Sequence, residues 1–197
     1  MEKVIYYTWE EYLARFNAIL GQSQPAPPYD NPDYFNYLKL NRSRQNRWLK
    51  TGEIAPTTIT ALTAIKEPQD WIVITEPWCG DAAHSIPFIK LIADQNPHIT
   101  MRFVWRDEPP FLIEQYLTNE GKAVPKLIAR NAAEEDLFTW GPRPKTCQEL
   151  FYRLRDENAD FERMKVELQE WYNADRGKLI QEELSQLVAK SKSNTVE

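Results

Sequence analysis

The sequence predicts an α/β fold, a central mixed sheet with helices added at both ends. Three observations point there. Helical periodicity gives way near residue 70 to short β-branched runs that alternate with helical stretches. The order from that point is strand, helix, strand, helix, hairpin, helix, so the first two strands form a parallel, right-handed βαβ unit and the hairpin adds an antiparallel pair. A further amphipathic stretch follows from Asp160 towards Lys190.

Each element has its own justification. Thr8 and Glu11 form a capping-box pattern, and Trp9, Tyr12, Leu13, Phe16 and Leu20 share one helical face that stops at Gly21. After the proline-rich "QSQPAPPYDNP", Asn31 caps a second helix with Pro32 at its first position, running to about Lys50 and ending at Gly52. "TTITALTAI" reads as a short helix. "DWIVIT" (70–75) is a buried strand and "ITMRFVW" (99–105) a second strand, flanking a helix over 80–95. Pro109 and Pro110 open another expected helix, with Leu112, Ile113, Tyr116 and Leu117 inside and Gly121 at its end. "PKLIARN" and "EDLFTW" form the hairpin, and "KTCQELFYRLRDEN" returns to helix. The last stretch breaks near Gly177, and "KSKSNTVE" reads as a frayed tail. The expected organisation is a helical extension over 1–56, a core over 57–157 and a second helical extension over 158–197 packed on the core.

The 197 residues suffice for one domain of about 150 residues plus appended elements. A net charge of −5 argues against nucleic acid as the main partner, because phosphate binding wants a basic surface. No run approaches the roughly 18 apolar residues of a membrane span. The N-terminus has early acidic residues and no small-residue cleavage site, so a cytoplasmic protein is expected. Two cysteines and two histidines, scattered, give neither a disulfide scaffold nor a zinc site.

The strand order and the residues around position 79 together resemble the thioredoxin family over residues 70–157. "WCGD" (78–81) resembles the first three residues of the Trp-Cys-Gly-Pro-Cys active site. Pro87 stands where thioredoxins kink the active-site helix, "AVP" (123–125) resembles the segment with the family's cis-proline, and "FTWG" (138–141) resembles the end of its last strand. The resemblance implies a three-layer α/β/α thioredoxin-like fold with a sheet of about four strands in the order 2-1-3-4, extended by N- and C-terminal helices. The whole chain also resembles a bacterial branch of thioredoxin family proteins with a Trp-Cys-Gly-Asp-Ala motif and helical extensions. Two departures bear on function: the resolving cysteine is Ala82, and the buried acid six residues before the active-site cysteine is Val73. Both serve a dithiol cycle, so Cys79 is not expected to run one.

A cysteine at a helix N-terminus faces unpaired N–H groups and the positive end of the dipole, which favour thiolate. Asp81 opposes that shift or simply caps the helix. The expectation is a thiol moderately more acidic than a free cysteine. Cys79 would then form a mixed disulfide with a protein or small-molecule disulfide, resolved by glutathione or another small thiol, with no bound cofactor. The alternative is a non-catalytic module that holds a peptide or protein partner in the same groove, with Cys79 a small buried hydrophobe. By resemblance the groove comprises Trp78, Cys79, Gly80, Asp81, Val124, Pro125, Trp140 and Gly141. The backbone of Val124 would be free to pair with an extended substrate, and Arg143 would be placed to take a carboxylate. His84 points away from Cys79 and reads as packing or surface. Lys39, Arg42, Arg44, Arg47 and Lys50 read as a solvated face, with a docking surface for an acidic partner as the alternative, and Cys147 reads as a packing residue at its helix start. Phe161, Met164, Leu168, Trp171 and Tyr172 form a stripe that packs on the domain, with a homodimer left open.

Overall fold

The computed structural model describes residues 3–193. Four strands form one mixed sheet in the order β2-β1-β3-β4. They are β1 (Gln69–Thr75), β2 (Ile99–Trp105), β3 (Lys126–Asn131) and β4 (Asp136–Trp140). β1 runs parallel to β2, with Val73 opposite Phe103, and antiparallel to β3, with Val73 opposite Leu127. β4 closes the hairpin with β3. Residues 71–75 are buried without alternation, as expected of a central strand covered on both faces. This is the three-layer thioredoxin-like fold, with the expected strand order.

Seven α-helices surround the sheet among the described residues: α1 (Trp9–Leu20), α2 (Pro32–Thr51), α3 (Pro56–Leu62), α4 (Gly80–Ala93), α5 (Lys145–Asp156), α6 (Phe161–Asp175) and α7 (Lys178–Ser193). The capping box of α1 forms as its sequence requires, with the Thr8 side chain accepting from the Glu11 N–H and the Glu11 carboxylate accepting from the Thr8 N–H. Just before it, Tyr7 exchanges two backbone hydrogen bonds with Phe103 at the outer edge of β2 (2.9 and 2.8 Å). Tyr12 then stacks on Phe103 at 4.3 Å, which seats α1 against the sheet.

α2 docks on α4 through a stripe in which polar residues are buried beside Leu38 and Trp48. Gln45 donates to the Tyr12 hydroxyl at 2.5 Å, and Asn41 donates to the carbonyl of Pro77, two residues before Cys79, at 3.1 Å. The second bond fixes α2 to the loop that leads into α4.

Three sequence expectations are corrected. The segment after Pro109 and Pro110 is not an α-helix. Phe111 takes a left-handed backbone, one 3-10 turn spans Leu112–Gln115, and a left-handed pair at Asn119 and Glu120 turns the chain back at Gly121. Arg44 is not on a solvated face; it is 7% exposed. And residues 190–193 continue α7, while 194–197 lie outside the described residues.

Candidate functional site

Cys79 is the N-cap of α4. Its backbone is extended, and its Sγ accepts the Ala82 N–H at 3.4 Å. The sulfur is also a donor, since its S–H points at the Val124 carbonyl, 3.1 Å away. That carbonyl belongs to the residue before Pro125, and the Val124–Pro125 bond is cis. The loop from far along the chain therefore meets the helix start through the thiol. Val124 and Pro125 are buried, and the Val124 carbonyl is taken by Cys79.

The thiol is 6% exposed. Burial, and secondly the Asp81 carboxylate two residues on, push its pKa up to about 12. The N–H groups of Ala82 and Asp81 and the Arg143 guanidinium oppose that shift but do not overcome it. The expected acidic thiol is thus corrected to a protonated one, as its hydrogen bond to Val124 requires. Desolvation of the anion outweighs the helix dipole at this depth.

Asp81 is not the cap. Its carboxylate pairs with Arg143 at 2.6 Å and accepts the Tyr172 hydroxyl at 2.9 Å. Arg143 also donates to Gln148 at 3.1 Å and lies 4.0 Å over the Phe151 ring. Both members of the ion pair are only 13% exposed, so the guanidinium expected to meet a substrate carboxylate already holds one of the protein's own. Cys147 is buried beside the Tyr172 hydroxyl, and both cysteines are free thiols. A Cβ at Gly80 would run into the Tyr37 hydroxyl, so a side chain there would have to push that ring aside.

His84 spans the floor between the helical extensions. Its Nδ1 accepts the Trp48 indole N–H from α2 at 2.9 Å, so Nε2 carries the proton and faces Gln169 of α6 at 3.2 Å. The ring stacks on Tyr172 at 4.3 Å and 6°. Burial, with Arg44 adding to it, drives its pKa down to about 3, so it is a neutral brace and not a base for Cys79.

A groove of about 840 Å³ opens above these residues. One wall is α2, through Tyr34, Tyr37, Leu40 and Arg44. The other is α6, through Phe161, Met164, Leu168 and Tyr172, spaced as one helical face. Trp78, Cys79, Gly80, Asp81, Arg143 and Phe151 lie between them. Trp78 is held from beneath by Arg106, 4.6 Å from its ring. Val124, Pro125, Trp140 and Gly141 do not line this groove. Trp140 is 6% exposed and donates its indole N–H to Glu183 of α7 at 2.6 Å, and the same carboxylate accepts the Lys145 N–H at 2.7 Å. Gly141 backs onto the Pro125 carbonyl with φ +113°, where a Cβ would not fit. The C-terminal extension has thus covered one flank of the region that the sequence resemblance implied, and the two extensions have built a different cleft on its other side. Sequence reasoning missed Tyr37 and Phe151, and it placed Arg44 in a basic run and Tyr172 in a packing stripe rather than in this site. The i, i+3, i+4 spacing of aromatic residues on α2 and α6 was the available signal, but it reads equally well as core.

A family model described as Thioredoxin matches residues 29–165. The chain belongs to the thioredoxin family. The match spans the whole α2 wall of the groove and ends after the first five residues of α6, so Leu168 and Tyr172 of the other wall lie beyond it. No curated protein matches this chain. Among solved structures, this thioredoxin-family chain is similar to a protein of unknown function from Pseudomonas aeruginosa, with 14% identity, a TM-score of 0.56, and coverage of 94% of this chain and 99% of that one. It is similar to an HIV epitope-scaffold at 14% identity and a TM-score of 0.55, covering 93% of this chain and 99% of that one. At such identity these likenesses support the fold alone. The described residues contain no cluster of potential metal ligands and no helix long and apolar enough to cross a membrane.

Proposed function

We propose that this thioredoxin-family protein is a binding module whose ligand, a peptide segment, lies in the groove between α2 and α6. The observation that carries this reading is the state of Cys79. It is a buried thiol that donates its proton to Val124, with Ala82 in place of a resolving partner, at the floor of a cleft walled by aromatic and aliphatic side chains. The cleft lies within the 300–1,000 Å³ range typical of ligand sites. Its rim carries exposed Tyr34, Leu40 and Phe161, which suit anchoring of apolar side chains. In this reading the Cys79 thiol pins the cis-proline loop to α4 and keeps the floor in shape. The reading also takes the chain as a member of the bacterial Trp-Cys-Gly-Asp-Ala branch that works in the cytoplasm.

A second reading rests on the Ala82 N–H at Sγ and on the presence of Cys79 in the groove lining. If the thiol ionises, the thiolate attacks one sulfur of a disulfide, expels the other as thiolate and leaves a mixed disulfide at Cys79. A glutathione-class thiol then attacks the mixed disulfide, releases the Cys79 thiolate and carries the substrate half away as a new disulfide.

Alkylation of the folded protein with iodoacetamide across pH 6–10, followed by mass mapping, separates the two. The binding-module reading expects Cys79 to react far more slowly than free glutathione at pH 8, with the rate still rising at pH 10. A rate that levels off below pH 8, together with glutathione-dependent insulin reduction that vanishes in Cys79→Ser, would establish the second reading instead.

A further inference from the structure

We infer that Arg44 reads a carboxylate: the peptide in the groove places an acidic group against this arginine and large apolar side chains beside it. The inference rests on the binding-module reading and specifies its ligand. Arg44 lies in the α2 wall, 7% exposed. One terminal nitrogen donates to the Asn41 side chain at 3.0 Å, the guanidinium hydrogen-bonds the Tyr37 hydroxyl, and it sits 5.1 Å from the Tyr37 ring centroid. Its Nε–H has no acceptor. Among the described residues no carboxylate lies within ion-pair distance of it. Of the other charges lining the groove, Asp81 pairs with Arg143 and Glu162 with Lys165, which leaves Asp33 as the one acid there without a cation. Asp33 stands exposed at the start of α2, eleven residues away in sequence. Arg44 is therefore the one buried charge of the cleft without a counter-ion.

Burying a cation with no anion is costly, and folded proteins normally avoid it by pairing. Here the walls do not supply the anion, while the surroundings raise the demand for one. Arg47 is a second cation close by, its pKa lowered first by burial and then by Arg44, and the neutral His84 supplies no negative charge to either. The α4 N-terminus ends at Gly80, against Tyr37, and adds its positive dipole end. The chain as a whole carries −5, so this cation is no part of a generally basic surface. A planar guanidinium suits a carboxylate through paired N–H donors. The exposed rings of Tyr34 and Phe161, with Leu40, supply the apolar contacts on either side.

The test begins with a random dodecapeptide library selected on the full-length protein. Enriched peptides are then synthesised with free and amidated C-termini, and with each Asp or Glu changed to Asn or Gln. Affinities are measured by titration calorimetry against wild type, Arg44→Gln, Arg44→Lys and a groove-blocking Leu168→Arg. The inference expects enriched sequences with an acid next to aromatic or aliphatic residues. Neutralising that acid, whether side-chain or terminal, should weaken binding about tenfold or more. Arg44→Gln should weaken the acidic peptide to the same degree and make the acid irrelevant, and Arg44→Lys should recover part of the loss. The peptide arm uses the wild-type protein and so does not depend on how any variant folds. Binders that Leu168→Arg abolishes but that carry no acid, or whose acid contributes independently of Arg44, would overturn the role of Arg44 and leave the groove standing. If no peptide binds, or Leu168→Arg has no effect on those that do, both the groove reading and this inference fail.

Discussion

At the scale of single residues, the site is governed by burial more than by sequence motif. Cys79 occupies a position that favours a thiolate, yet its sulfur is covered and its proton has an acceptor. Asp81 sits in the first turn of a helix, yet its carboxylate serves Arg143 and Tyr172 rather than the helix N-terminus. That pairing makes a sharp expectation. Asp81→Ala strands a guanidinium that is only 13% exposed, and should destabilise the fold by about 3 kcal/mol, read as a shift in the urea midpoint at constant slope. Arg143→Met in the same background should recover part of that loss, because it removes the orphaned charge. None of this was legible beforehand. The sequence shows that Cys79 starts a helix and that Ala82 is no thiol. It does not show which acid faces which base, because Asp81, Arg143 and Tyr172 come together from three separate helices or turns.

Between residues and the whole lie the helices, and here the strands and caps were well marked while the helical packing was not. The β-branched runs, the Thr8 capping box and the Asn31–Pro32 start each state their structure locally, and the structure forms them there. The misread segment after Pro110 had an apolar pattern but too many turn residues for a helix. Arg44 was misread because the buried stripe of α2 includes Asn41 and Gln45, so its hydrophobic period is blurred. Two expectations belong at this level. Gly177 joins α6 to α7 with φ +74°, and a Cβ there would meet the Phe88 ring. Gly177→Ala should cost about 2–3 kcal/mol through strain and overpacking, measured by thermal or urea unfolding. Glu183 holds α7 to the end of β4 by accepting from both Trp140 and Lys145. Glu183→Ala should lower the melting temperature by about 2–6 °C and increase the mobility of Trp140, seen as a red shift of its fluorescence against a Trp140→Phe control.

For the whole molecule, two buried titratable groups act in opposite directions. His84 has its pKa lowered from 6.5 to about 3, so the unfolded chain binds the extra proton, and stability present above pH 6.5 is lost as pH falls towards 3. Glu76, at the end of β1, has its pKa raised from 4.5 to about 7 by burial, although its carboxylate accepts the Asp107 N–H at 3.1 Å. Its folded form holds the proton longer, so stability is fully present below pH 4.5 and is lost as pH rises to 7. The two slopes oppose each other between pH 4.5 and 6.5. Glu76→Gln keeps the hydrogen-bond acceptor and removes the second slope. Its unfolding free energy, read from urea titrations, should therefore rise steadily to pH 6.5 and exceed wild type at pH 8 by on the order of 2–3 kcal/mol. A variant curve parallel to wild type across pH 4–8 would show that Glu76 does not titrate in this window.

The pairing of Tyr7 with Phe103 has a bearing on self-association. An open sheet usually exposes two margins where a stray extended segment could attach. Here the protein's own Tyr7 occupies the outer strand at Phe103, so a stray segment cannot pair along its whole length. Strand-to-strand growth, were it ever to start, would have to begin at the opposite margin, on five residues of β4 with α7 packed beside them.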